Sequence, residues 1–303
     1  MSIVNAEIKK KIETFAAMPV LCQFLVEHLN DPSVDLQYLA DQLRYDPGMT
    51  TNVLRVANSA AYGGRGQVDS VQCAIARLGM KQLFQMLVAV GISKTLKKRM
   101  VGYQLEPEEL LQHSVYVAVA SEELAQTLGL RASEMLFTAG LLHDVGKILL
   151  DEYVCQEWAP LSAKFRTTSG GFDSVEREAL GLCHAEAGAA LLRKWKFPEE
   201  LVVAVRCHHQ PWEAGGWTPM ANIVHIADIL SYSEGIGTGV DGMRYKISRD
   251  AMSSLGLRSK TIEAVASHSL EKVRELSKIL SVAQTLSLEE SNSRTSKRGR
   301  SQR

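Results

Sequence analysis

Along almost the whole chain, apolar residues recur at three- and four-residue steps, the period of helices with one buried face. Met18 to Leu29 follows this pattern, and Asp31-Pro32-Ser33 ends it. Leu36, Leu39, Ala40 and Leu43 form a second face, stopped near Asp46-Pro47-Gly48, and Met49 to Ser59 a third. Gly63-Gly64-Arg65-Gly66 is a loop. Ser70 stands at the N-cap of a helix over Val71 to Leu78, Gly79 ends it, and Lys81 to Leu96 is helical again. A long helix is expected from Glu108 to Leu128, ending at Gly129, and another from Ala132 to Leu150. Thr167 to Gly171 is a loop, and Asp173 with Glu176 resembles a capping box. Helices over 184–195, 199–209 and 219–233 follow, then a flexible connection at Gly235, Gly237, Gly239 and Gly242, then an amphipathic segment over 259–285. No segment alternates as a strand does, and no repeat of solenoid period occurs. The pattern predicts an all-α protein.

The cations Lys94, Lys97, Lys98 and Arg99 before Gly102 read as a solvated helix end and mark a sub-domain boundary. Four parts are expected: an N-terminal helical half over 1–102, a helical bundle over 103–235, a helical extension over 236–288 and a disordered basic tail over 289–303.

Composition narrows the class. The 303 residues are 46% hydrophobic, enough for a real core, and the formal net charge is zero, which disfavours nucleic acid or acidic lipid as the partner. Even the five basic residues of the tail read as solvating. Five scattered cysteines, none in a CxxC pair, exclude a disulfide framework and a cysteine-rich zinc site; most are expected to be small buried residues. No stretch approaches the roughly 20 apolar residues of a membrane span, and no leader is visible, so a cytoplasmic protein is expected.

The candidate chemistry sits in the run Gly140 to Leu150, where His143, Asp144 and Lys147 interrupt an apolar segment. Polar and charged groups in such a setting cost several kcal/mol, on the order of 2–7, unless they are paired or bound to a metal. Further polar residues recur in neighbouring helices. Glu109 and His113 share a helix face at i, i+4 spacing. His184 opens a helix rich in small residues, His208 and His209 are consecutive, and Asp228 lies in the apolar stretch 223–230. One such histidine is more often a packed core residue. Five histidines, two aspartates and a glutamate together point to a metal site inside a helical bundle. Imidazole with carboxylate suits iron, manganese, nickel, cobalt or zinc without choosing among them. Two divalent ions could bind a phosphate and activate water, with Asp144 bridging them and Lys147 stabilising charge on phosphate oxygens; Asp144 and Lys147 are the candidate catalytic residues.

The order His113, His143-Asp144, His184, His208-His209, Asp228 resembles the HD superfamily of metal-dependent phosphohydrolases, whose fold is a helical bundle. Lys147 and Glu109 resemble extra residues of its HD-GYP branch, the cyclic-di-GMP phosphodiesterases. The Gly-Tyr-Pro signature of that branch is absent from the corresponding stretch Gln210 to Trp217. The closer resemblance, over about residues 10–235, is to the HDOD family, the HD-related output domain of bacterial signalling proteins. It is carried by Asn30-Asp31-Pro32, Leu39-Ala40, Asp46-Pro47, Leu54 to Gly63 and Ala74 to Gly79 in the first half. In the second half it is carried by Gly140 to Leu150, Glu178 to Leu192, Trp195, Phe197-Pro198 and His208 to Pro211. The resemblance implies an N-terminal helical sub-domain packed on an HD-type bundle. It also implies a regulatory role toward a signalling protein partner or a nucleotide-type phosphate ligand, with phosphodiester hydrolysis as the alternative.

Overall fold

The structure is a computed structural model that describes residues 3–15, 43, 47–58, 67–130, 133–240, 242 and 244–274. The helix expected over 18–29, that over 36–43 apart from Leu43, the loop Gly63 to Gly66, the residues beyond 274 and the basic tail lie outside these. The regular elements among the described residues are all helices, with a single isolated β-bridge between Met100 and Leu105. No single helix among them is long and apolar enough to cross a membrane.

The N-terminal elements are α1 (Ile3–Thr14), α2 (Pro47–Ala57) and α3 (Val71–Leu96). Ser70 caps α3 as its position predicted, its hydroxyl accepting from the Cys73 amide at 3.2 Å. Gly79, at φ 74°, breaks α3 where the sequence placed a stop. Next come α4 (Glu109–Thr127) and α5 (Ser133–Leu142), which lie along each other. Nearly every side chain of α4 from Leu110 to Ala125 is buried, so α4 runs through the centre of the core. Helix α3 packs on both and extends the core from the N-terminal half into the bundle. The buried Gln85 amide on α3 donates to the Glu122 carboxylate on α4 at 2.9 Å.

The helix expected over 132–150 is in fact two. After α5 the chain turns through His143, Asp144, Val145 and Gly146 before α6 (Lys147–Gln156) begins. The apolar period carries across the turn because Val145 is itself buried, so hydrophobicity alone could not locate the break. Then follow α7 (Trp158–Thr167), α8 (Phe172–Leu180), α9 (His184–Lys194), α10 (Glu199–Arg206), a 3-10 segment (Pro211–Trp217) and α11 (Thr218–Ser233). Helix α10 ends at Arg206 rather than at 209, leaving His208 and His209 on the turn beyond it. The extension contributes α12 (Arg249–Ser254) and a last helix, α13, over 259–274.

Helix α11 spans the bundle, touching α4, α5 and α10, while α9 packs between α6 and α10. Helix α1 docks on α9, where the Lys194 ammonium donates to the carbonyls of Ile12, Glu13 and Phe15 at 3.0, 2.6 and 2.7 Å. That one cation satisfies the orphan carbonyls at the end of α1. The capping box read at Asp173 and Glu176 does not form. Gly171 is the N-cap of α8 without a side-chain bond, and both carboxylates turn inward. Among the described residues the four cysteines divide evenly: Cys183 and Cys207 are buried, Cys73 and Cys155 exposed, and all four are free.

Candidate metal centre

Six segments deliver the polar residues to one interior point. His113 lies on α4, His143 and Asp144 on the turn between α5 and α6, and Lys147 at the first position of α6. His184 opens α9, His208 and His209 follow α10, and Asp228 lies on α11. All are buried apart from His209, whose side chain is 5% exposed. The Nε2 atoms of His113 and His143 are 3.1 Å apart. Asp228 Oδ1 lies 3.2 and 3.5 Å from them, and Asp144 Oδ2 lies 3.3 and 3.4 Å from them. On the other side, the Nε2 atoms of His184 and His209 are 2.9 Å apart. Asp144 Oδ1 is 3.4 Å from His184 Nε2 and 3.9 Å from His208 Nε2. Asp144 thus turns one oxygen toward each group of histidines.

The outer faces of the rings fix their protons. His143 and His208 donate through Nδ1 to the carbonyls of Gly140 and Val205 at 2.7 and 2.6 Å. His184 Nδ1 donates to Glu176 at 2.7 Å. The same Glu176 oxygen accepts the His184 amide at 2.8 Å, and the other accepts the Tyr103 hydroxyl at 2.5 Å. Ser231 donates to the Asp228 carbonyl at 2.8 Å, so its oxygen accepts from His113 Nδ1, also at 2.8 Å. With Nδ1 committed outward as a donor, the Nε2 atoms of these four rings all face inward, and each offers a lone pair where a cation takes the place of a second proton. This is how proteins orient imidazoles toward a metal.

Left to themselves the inward atoms are poorly satisfied. Both oxygens of Asp228, Asp144 Oδ1, His208 Nε2 and His209 Nδ1 are buried without a hydrogen bond. Asp144 Oδ2 has the Lys147 ammonium at 2.8 Å, and that ammonium sits 5.5 Å over the Tyr103 ring. Burial pushes the carboxyls of Asp144 and Asp228 up, but the surrounding imidazoles, with Lys147 for Asp144, hold both well below the usual range. Burial depresses His143, yet Asp144 and Asp228 outweigh it and lift its pKa to about 10. His208 is driven down to about 3 by burial and by His143, and His209 well below its ordinary value by burial, His208 and His184. Histidines pushed up beside the carboxylates and down beside one another, around buried carboxylate oxygens without a hydrogen bond, fit cations as the missing partners. Among the described residues, three sets have ligand atoms within 4.8 Å of one another: His113, His143 and Asp228; His143, Asp144 and His208; His184, His208 and His209.

Seven of the eight residues expected as ligands are gathered here. Glu109 is not. Its carboxylate folds back to accept the Glu106 amide at 2.8 Å at the start of α4, where it meets the positive end of the helix instead. Several contributors escaped the sequence reading: Glu176, Tyr103 and Ser231 as orienting partners, and Tyr232 and Tyr245 as rings stacked on His113 and His209. Ser231 could have been found at i+3 from Asp228 on one helix face; Glu176 and the tyrosines carried no local signal. His225 ties the centre to the extension, donating to the His208 carbonyl at 2.8 Å and accepting the Ser248 amide at 3.2 Å. A small cleft lined by Asp173, Arg177, Arg206 and Glu213 leads from the surface to His209.

Known proteins resemble the chain in fold and in sequence. An HDOD domain protein of unknown function from Geobacter sulfurreducens has the same fold, with a TM-score of 0.69 at 22% identity over 92% of this chain and 96% of that one. A protein of Treponema pallidum is 23% identical over 229 residues, 74% of this chain and 43% of its own length. Ribonuclease Y of Thermus thermophilus is 36% identical over 124 residues, 41% of this chain and 16% of that enzyme. The chain therefore spans less than half the length of these two relatives. The HDOD domain family profile matches residues 15–211, well over half of the sequence, and the chain belongs to the HDOD family.

Proposed function

We propose that this HDOD protein is a regulatory output module of bacterial signalling built around a divalent-metal centre with two ion positions. The observation that carries the reading is the inward convergence of Nε2 lone pairs from four rings whose outer nitrogens are all committed as donors. His113, His143 and Asp228 would hold one ion, His184, His208 and His209 the other, and Asp144, with an oxygen toward each, would bridge them. The near-complete burial of these residues suits a centre that stabilises or reports a conformation to a signalling partner. Elemental analysis of protein loaded with manganese, iron, cobalt, nickel or zinc tests it. Two ions per chain are expected, reduced in His143→Ala. No uptake of any of the five, with unchanged stability in His143→Ala, would refute it.

Hydrolysis of a phosphodiester is the second reading, favoured by Lys147 and by the 36% identity to ribonuclease Y over 124 residues. Bound divalent ions supply an activated water and polarise a phosphoryl oxygen. The chain's own part is then to hold the Lys147 charge beside Asp144 and to admit an anion through the cleft at His209. Turnover of simple phosphodiesters, cyclic dinucleotides or RNA by the loaded protein, abolished in Asp144→Asn, would establish it.

A further inference from the structure

We propose that Tyr245, beyond the segment matched by the family, is a positioning residue of the centre that orients His209 by ring stacking. The inference rests on the metal-centre reading above and extends it to the C-terminal extension. Four of the five inward histidines are oriented by a hydrogen bond at Nδ1. His209 has none: its Nδ1 is buried without a partner, 3.9 Å from Asp228 Oδ2. What lies flat on it is the Tyr245 ring, with centroids 4.2 Å apart and planes within 9°. His184 meets the same ring edge-on at 5.0 Å, so rotation of His209 about its Cβ–Cγ bond would run into one ring or the other.

Tyr245 is itself held. Its hydroxyl donates to Asp173 Oδ1 at 3.0 Å and accepts the Asp173 amide at 3.2 Å. Gly171 leaves room for it, since a Cβ there would collide with the Tyr245 ring. Tyr232 stacks beside Tyr245 at 6.3 Å and on His113 at 5.0 Å, so the tyrosines link the two ends of the centre. The segment that carries Tyr245 is anchored on both sides of it, by the Val240 amide on the Tyr103 carbonyl at 3.0 Å and by the Ser248 amide on His225. Asp173 and Tyr245 thereby do through packing for His209 what Glu176 does through hydrogen bonds for His184.

The test compares wild type with Tyr245→Ala, Tyr245→Phe and Gly171→Ala in the full chain. Cobalt(II) titration followed by its visible spectrum reads each ion position. Tyr245→Ala and Gly171→Ala are expected to weaken one of the two bound ions by about 10- to 100-fold, the usual effect of losing an orienting partner, and to leave the other unchanged. Tyr245→Phe, which keeps the stack, is expected to bind both as wild type does. Wild-type binding of both ions by Tyr245→Ala, or equal weakening of both with a lowered melting temperature, would overturn the proposal. If wild type takes up none of the five metals, the metal reading fails by itself, and carbethoxylation of His209 in the metal-free protein still decides this one. Faster modification in Tyr245→Ala than in wild type and Tyr245→Phe supports positioning, and equal rates overturn it.

Discussion

Replacing Gly146 with alanine adds one methyl group and is expected to pull the His-Asp turn apart from α9. Gly146 has helical angles, φ −66° and ψ −24°, so alanine meets no backbone strain and the effect is steric alone. Its Cβ would collide with the His184 carbonyl oxygen and lie 2.6 Å from the Gly188 nitrogen and 2.8 Å from the His184 carbonyl carbon, where ordinary contact is 3.4–4 Å. Every obstructing atom is backbone of the first turn of α9, so no side chain can swing away. Helix α9 would have to retreat by about 1 Å, carrying His184 from Asp144 Oδ1. Overpacking of this kind costs about 1–3 kcal/mol, and two facing backbones place it toward the upper end. For a domain of this size that lowers the melting temperature by about 4–10 °C. Melting should be followed in metal-free protein, because bound ions add their own stabilisation, and metal uptake measured separately. Gly188→Ala is the control: its Cβ meets the Gly146 nitrogen at 3.2 Å and a Val145 methyl at 3.3 Å, which a few tenths of an ångström relieve. Removing a mid-helix glycine returns about 0.5–1 kcal/mol, so that variant should melt near wild type. A Gly146→Ala protein that melts within a degree of wild type and binds metal normally would refute the packing argument.

Glu176 is fully buried and accepts three hydrogen bonds, two of them from His184. Glu176→Ala should weaken the ion held by His184 by up to about 100-fold and Glu176→Gln, which keeps an acceptor, by about tenfold; unchanged cobalt affinity in the alanine variant would show that His184 needs no such support. Cysteine labelling gives an independent check on burial. Burial pushes the Cys183 thiol far above its ordinary range and raises that of Cys207, while Cys73 and Cys155 are exposed. Iodoacetamide at pH 8 should therefore modify Cys73 and Cys155 well before the other two, as read by peptide mass spectrometry, because the thiolate is the reacting form.

What the sequence revealed of the centre, and what it hid, follow from one distinction. His113, His143, Asp144, His184, His208, His209 and Asp228 announce themselves because each is a polar residue where the helical period calls for an apolar one. Burying such residues without compensation is costly enough that several together demand a common partner. Residues that obey the local pattern are silent. Gly146 reads as one more position in a helix over 132–150, yet its role is to let two backbones touch. Glu176 three residues after Asp173 reads as a cap, because local spacing cannot show that the chain will bring His184 and Tyr103 against it. Glu109 is the converse error: i, i+4 spacing puts it near His113 on one face, but an unsatisfied amide at the start of the same helix competes for its carboxylate and wins. Tyr245 is the furthest case. It lies 36 positions after His209 in the chain, past a glycine-punctuated connection that reads as slack, and only the closed fold lays its ring on the imidazole. The converging polar side chains are thus legible from their cost, whereas the groups that aim them are legible only from contacts made across the chain. Changing such a group should alter metal affinity more than it alters the fold.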